Sequence, residues 1–312
     1  MAPGDAPPPV LTRRTALACG LGVAAGGMAV VLDLIAHGVL PGQYTLDVLD
    51  GACSVTIPAE TFSPVGRSIS GTFYSRARNR TVGYTIAYPP GHPPGSKLPL
   101  GVVLHAFGGN HTSTFGGLTL ARALAGRTGR RRPVPTALVA ADGGGLYWNR
   151  HPGDDPMAMI VDELIPLCRR LGLGRAPRSI GATGISMGGY GAVLLAEKHP
   201  HLISAVAAIS PAIWTSYADA RDANAGAYAS AGAFARADVV THASALARMP
   251  VRIASGIDDP FHPGVAALAR TLPASAIVEI TQGCHDGSFF ASQAPASLAF
   301  LARHIAPARP RR

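Results

Sequence analysis

A chain of 312 residues with 47% hydrophobic and 14% charged residues has the length and apolar content to bury a large core, which excludes an intrinsically disordered protein and favours one large domain over two small ones. The formal net charge is +9. Its clusters, Arg127 with Arg130, Arg131 and Arg132, and the terminal Arg309, Arg311 and Arg312, lack the interleaved aromatics of a nucleic-acid surface; no nucleic-acid partner is expected, and the charge reads as solvated surface that leaves room for attraction to an anionic membrane or cell envelope.

Residues 1–42 read as a targeting segment. Thr12-Arg13-Arg14-Thr15-Ala16-Leu17 precedes an Ala, Gly, Val and Leu run to Leu32, a twin-arginine signal pattern that implies export of an already folded chain. At about 18 residues the run is at the lower limit for crossing a bilayer. Gly20, Gly22, Gly26 and Gly27 make it a poor permanent span, so a signal is favoured over an uncleaved anchor, although no clear small-x-small cleavage site follows Leu32. Residues 43–306 form the main domain and 307–312 a basic tail. Beyond the leader, Cys53, Cys168 and Cys284 are odd in number and lack metal-ligand spacing, so no essential disulfide and no metal are expected.

Antiparallel strands are predicted at Cys53 to Ile57, Ser68 to Ser75 and Thr81 to Tyr88, rich in β-branched and aromatic residues. From Leu98 the rhythm changes to short apolar runs, Leu98 to Leu104, Thr136 to Ala140, Ile180 to Thr183, Ile203 to Ile209 and Val251 to Ser255, each short enough for a buried strand. Helical stretches near Leu118 to Ala125, Pro156 to Leu171, Met187 to Lys198 and Gly264 to Leu272 separate them. The alternation predicts an α/β fold with a mostly parallel, doubly wound sheet. Asp155-Pro156 reads as an N-cap with Pro at the first helical position, not as chemistry. The Ala-, Gly-, Ser- and Asp-rich stretch from Tyr217 to Val240 breaks the alternation and reads as an insertion over the site.

Gly184-Ile185-Ser186-Met187-Gly188 lies between a predicted strand and a predicted helix, the setting of a nucleophile elbow. A serine hydroxyl is a weak nucleophile, so it must stand on a sharp turn where a base can reach it, with small neighbours that let the backbone pack closely. An acid and a base should follow at later strand ends. Gly256-Ile257-Asp258-Asp259-Pro260 follows Val251 to Ser255, and Gly283-Cys284-His285-Asp286-Gly287 follows Ala276 to Thr281, which makes His285 the candidate general base. Backbone N–H donors for an oxyanion are expected from Met187, after the serine, and from Phe107 in Leu104-His105-Ala106-Phe107-Gly108-Gly109-Asn110. His199-Pro200-His201 lacks a carboxylate or thiol partner and is read as a helix end rather than a metal pair.

These stretches, with Ala141-Asp142-Gly143-Gly144, Tyr147-Trp148 and Ser210-Pro211-Ala212-Ile213-Trp214, resemble the putative esterase family of α/β-hydrolases, which includes esterase D and the antigen 85 mycolyltransferases. The resemblance runs from about Tyr84 onward and leaves 43–80 unmatched. It implies an α/β-hydrolase fold, a triad of Ser186, Asp259 and His285, oxyanion donors at Phe107 and Met187, and no cofactor. Asp259 is chosen over Asp258 because the family pattern places the acid three residues after the glycine. Pro260 also biases the residue before it to an extended backbone, leaving Asp258 to cap the turn. Two positions depart from the family: Ala106 stands where Gly is usual, and Gly287 where an aromatic often follows the histidine. The expected activity is an exported serine carboxylesterase acting on small-molecule or lipid esters. The alternatives are an acyltransferase passing the acyl group to a sugar or lipid hydroxyl, and an inactive envelope-binding hydrolase fold.

Overall fold

The computed structural model describes residues 53–55, 66–116 and 134–306. The chain divides into two units, Met1–Ala52 and Cys53–Arg312, and every described residue belongs to the second. The leader, the predicted Leu118 to Ala125 helix, Arg127 to Arg132 and the basic tail lie outside the described residues.

Eight strands form one sheet: β1 (Ser68–Ser75), β2 (Arg80–Ala87), β3 (Leu100–Leu104), β4 (Ala137–Ala141), β5 (Ile180–Ile185), β6 (Val206–Ile209), β7 (Val251–Gly256) and β8 (Ile277–Thr281). Their order is β1-β2-β4-β3-β5-β6-β7-β8. β1 and β2 pair antiparallel, β2 runs antiparallel to β4, and all later neighbours are parallel. Five central strands, β3 to β7, are buried at every position, which is why they read as unbroken apolar runs. The edge strands β1 and β8 alternate in exposure. The expected strand at Cys53 to Ile57 is not present in its described part: Cys53 lies in a turn, and 54 and 55 are irregular.

Alternation within each strand splits the apolar side chains between two faces. Leu100, Val102, Leu104 and Val139 join the core with Ile160, Leu164, Tyr190 and Leu194. Val103, Leu138 and Ala140 pack with Phe289, Ala294 and Leu298. After α1 (Ser113–Gly116), one continuous helical stretch comprises α2 (Pro156–Ala158), a π turn (Met159–Leu164) and α3 (Ile165–Arg170). Asp155 caps it, accepting from the Ala158 N–H at 2.9 Å, with Pro156 in the first turn. The π register has a local cause. Pro166 has no N–H to return to Asp162, and the Ile165 N–H reaches instead to Ile160 O.

α4 (Met187–Lys198) follows the elbow, and α5 (Tyr217–Ala223) and α6 (Ala231–Arg236) occupy the β6–β7 connection. α7 (His262–Ala269) and α8 (Gly287–Ile305) complete the unit. Buried Arg252 of β7 locks α8 to the sheet. Its guanidinium donates to Ser297 Oγ at 2.6 Å and Gln293 Oε1 at 2.9 Å on α8, and to Glu279 at 2.6 Å on β8.

The cysteine expectation is corrected here. Cys53 and Cys284 form a disulfide across a sequence separation of 231, with Cα atoms 4.9 Å apart, while Cys168 is free and buried. Sequence spacing carries no signal of such a pairing; it is made by the return of the chain past β8.

Candidate active site

Ser186 directly follows β5 and caps α4 with φ 57° and ψ −123°, a backbone state non-glycine residues rarely adopt. Neighbouring glycines allow the sharp turn. A Cβ on Gly188 would lie 1.9 Å from Leu104 O, and one on Gly184 would lie 2.3 Å from Gly188 O. The crossing of elbow and β3 therefore needs bare backbone at both positions. The Ser186 N–H donates to Ile209 O at 3.0 Å, and Ser186 O accepts from Ala212 and Tyr190 at 3.0 Å, so the strained turn is held on three sides.

The loops after β7 and β8 supply the other two groups. His285 Nε2 lies 2.8 Å from Ser186 Oγ, and His285 Nδ1 lies 2.9 Å from Asp259 Oδ2. A carboxylate only accepts, so Nδ1 carries the proton and Nε2 is left to accept from the serine hydroxyl. Asp259 is buried, and its Oδ1 accepts from the Phe261 N–H at 2.8 Å. Thus the residue facing the histidine also makes the turn bond expected of Asp258, a correction to the division of roles between the two. Asp258 is partly exposed, and its backbone N–H donates to Gly283 O at 3.1 Å. The loops after β7 and β8 cross closely there: a Cβ on Gly256 would meet Gly283 O at 2.0 Å. Phe261 and Phe290 flank the imidazole at centroid distances of 5.0 and 5.1 Å.

Met187 opens α4, so its backbone N–H has no partner within the helix. Phe107 lies in the loop after β3 with its ring largely exposed. The residue that shapes this loop is His105, which sequence reasoning quoted but gave no role. It is buried; Nε2 accepts from the Gly143 N–H at 2.8 Å and Nδ1–H donates to Ala106 O at 2.8 Å. Burial lowers its pKa, so the neutral ring that this bonding needs is favoured. A histidine at the end of a fully apolar strand was the signal available. A cleft of about 310 Å³ beside the loop is lined by Leu104, Phe107, Ser113, Ile185 and Phe290 among others.

The insertion is tied to its surroundings. Asn224 donates to Gly145 O and Asn149 to Ala227 O, both at 3.2 Å, and Tyr190 of α4 donates to Ala237 O at 2.7 Å. Tyr228 packs on Tyr147 and Tyr190, and Trp214 stacks edge-on against Phe261, so aromatic packing runs from the insertion to His285. A second cleft of about 600 Å³, lined by Arg150, Lys198 and Arg236, lies at the far end of α4 from Ser186. Among the described residues, one set of metal-competent side chains converges, Cys53, Cys284 and Asp286. Both sulfurs are consumed in the disulfide, and Asp286 Oδ1 accepts from Ser288 and Phe289 as the cap of α8. No helix among the described residues is long and apolar enough to cross a membrane.

A family model described as Putative esterase matches residues 75–282, starting earlier than the motifs alone suggested. The chain is similar to the structure of an S-formylglutathione hydrolase from Agrobacterium tumefaciens, at 16% identity and TM-score 0.63, covering 81% of this chain and all of that one. It is also similar to MPT51 of Mycobacterium tuberculosis, at 18% identity and TM-score 0.57, covering 80% and 98%. A ferulic acid esterase of Anaeromyces mucronatus aligns at 14% identity and TM-score 0.56 over 78% and 95%. These likenesses show a shared fold. No curated protein matches the sequence.

Proposed function

Because the chain belongs to the Putative esterase family and is a carboxylic ester hydrolase, we propose that Ser186, His285 and Asp259 are its catalytic triad and that it hydrolyses small acyl esters after export. The observation that carries this is the unbroken hydrogen-bonded line from Ser186 Oγ through both ring nitrogens of His285 to Asp259 Oδ2. Ser186 attacks the acyl carbonyl as His285 Nε2 takes its proton, and Asp259 steadies the imidazolium. The Met187 and Phe107 backbone N–H groups stabilise the oxyanion. His285 then protonates the leaving alcohol, and water, activated the same way, frees the acid. The cleft of about 310 Å³ beside the Phe107 loop is taken as the acyl subsite, with room for a short chain.

The test is turnover of a chain-length series of chromogenic esters, with and without a sugar acceptor, by the parent chain and by Ser186→Ala. The variant should fall to background while staying folded, short esters should turn over fastest, and an organophosphonate should label Ser186 alone. Parent-like turnover in Ser186→Ala would reject the assignment. The export part rests on the Arg13-Arg14 pattern and agrees with a disulfide, which persists in oxidising compartments. Replacing both arginines with lysine should retain the protein in the cytoplasm; continued export would remove the twin-arginine reading.

A further inference from the structure

The disulfide ends one residue before the proposed general base. Three anchors bracket His285 along the chain. Behind it, Gly283 O accepts from the Asp258 N–H at 3.1 Å, tying this loop to the one that carries the acid. Ahead of it, Asp286 caps α8. Between them, fully buried Cys284 is bonded to Cys53. Val55 continues this bracket, packing against Phe289 and beside Gly283, where a Cβ would stand 3.0 Å from Val55 Cγ2. Gly283 itself has φ 140°, a conformation open chiefly to glycine, which leaves the peptide before Cys284 with few intrinsic restraints. The rings of Phe261 and Phe290 pack on the His285 ring but do not hold its backbone.

We propose that the Cys53–Cys284 disulfide is a positioning element for His285, so that the esterase is fully active only when the bond is closed. The inference rests on the triad reading above. Both contacts of the imidazole are at hydrogen-bond length, and a displacement of about 1 Å in such a site costs on the order of 10²-fold in rate. Opening the bond with a dithiol breaks one S–S bond, leaves two thiols on this chain and a cyclic disulfide on the reductant, and moves two electrons and two protons. Cys168 is the internal control. It is buried, and burial pushes its thiol up to about 12, so it stays protonated and unreactive.

The full chain is assayed on a short chromogenic ester in four forms: parent, Cys53→Ser, Cys168→Ser and Ser186→Ala. The parent is assayed again after reduction with dithiothreitol and after reoxidation, with thiols counted by alkylation and mass spectrometry and folding followed by circular dichroism. The expected result is a ten- to hundredfold lower kcat, with KM within about twofold, in Cys53→Ser and in the reduced parent. Their spectra should be unchanged, Cys168→Ser should match the parent, and reoxidation should restore kcat. Parent-like kcat in folded Cys53→Ser overturns the proposal, as does loss of the native spectrum whenever the bond opens, which would make it a scaffold for the whole unit. If Ser186→Ala retains turnover, the triad reading has failed; if it is inactive while reduction leaves the parent unaffected, the triad stands and this inference alone falls.

Discussion

Asp258 and Asp259 are adjacent carboxylates of which one reaches the histidine. Asp259 is buried with both oxygens engaged, one by His285 and one by the Phe261 N–H, whereas Asp258 is partly exposed. Removing the orienting carboxylate of such a triad costs on the order of 10⁴ in kcat, because the histidine adopts the wrong tautomer. Asp259→Asn should therefore lose about that factor and Asp258→Asn should remain within a few-fold of the parent, as steady-state assays would show; an inactive Asp258→Asn would move the acid by one position. Asp259→Asn should keep the turn, because the amide oxygen still accepts from the Phe261 N–H. That second duty was not legible in the sequence, where Pro260 bore only on the backbone and said nothing of which oxygen the Phe261 amide would meet. Ser186, Gly184 and Gly188 were legible because an elbow constrains residue type through sterics alone. His105 was not, because its value lies in contacts with Gly143, a residue on another strand end.

At the scale of elements, chemistry written locally was readable and chemistry made by packing was not. Buried strands announce themselves as apolar runs, and the Asp155-Pro156 start of its helix needed no partner beyond that helix. The π turn was hidden because it depends on Pro166 acting one turn back. α4 carries a further hidden feature in Glu197, which is buried with neither carboxylate oxygen hydrogen-bonded among the described residues. Burial pushes its carboxyl up to about 9, with Asp238 adding to the rise and Lys198 opposing it. The folded state thus keeps a proton that the unfolded chain releases above about 4.5. Stability must fall as pH rises through that window and level off beyond it, with a slope on the order of 1 kcal/mol per pH unit. Glu197→Gln keeps the shape without the ionisation. Its melting temperature should decline less than the parent's between pH 5.5 and 8.5, and parallel declines in thermal melts would rule this out.

For the whole molecule, the α/β alternation conveyed a mostly parallel sheet, yet the exchange that seats β4 between β2 and β3 left no trace in local pattern. The same holds for the bond between Cys53 and Cys284, whose partners are brought together only by the finished topology. In the chain-entropy account a closure of this length stabilises the fold by on the order of 5 kcal/mol. All eight strands and helices α1 to α7 lie between the two cysteines, so the sheet is enclosed in a covalent ring, with α8 outside it. Tension applied to the two ends of the chain then has a route that bypasses the sheet, entering at Cys53, crossing the sulfurs and leaving through Cys284 into α8. Strands that would otherwise be peeled from β1 inward carry none of that load. At the junction the load reaches the His285 loop before α8, which Arg252 grips through Ser297 and Gln293.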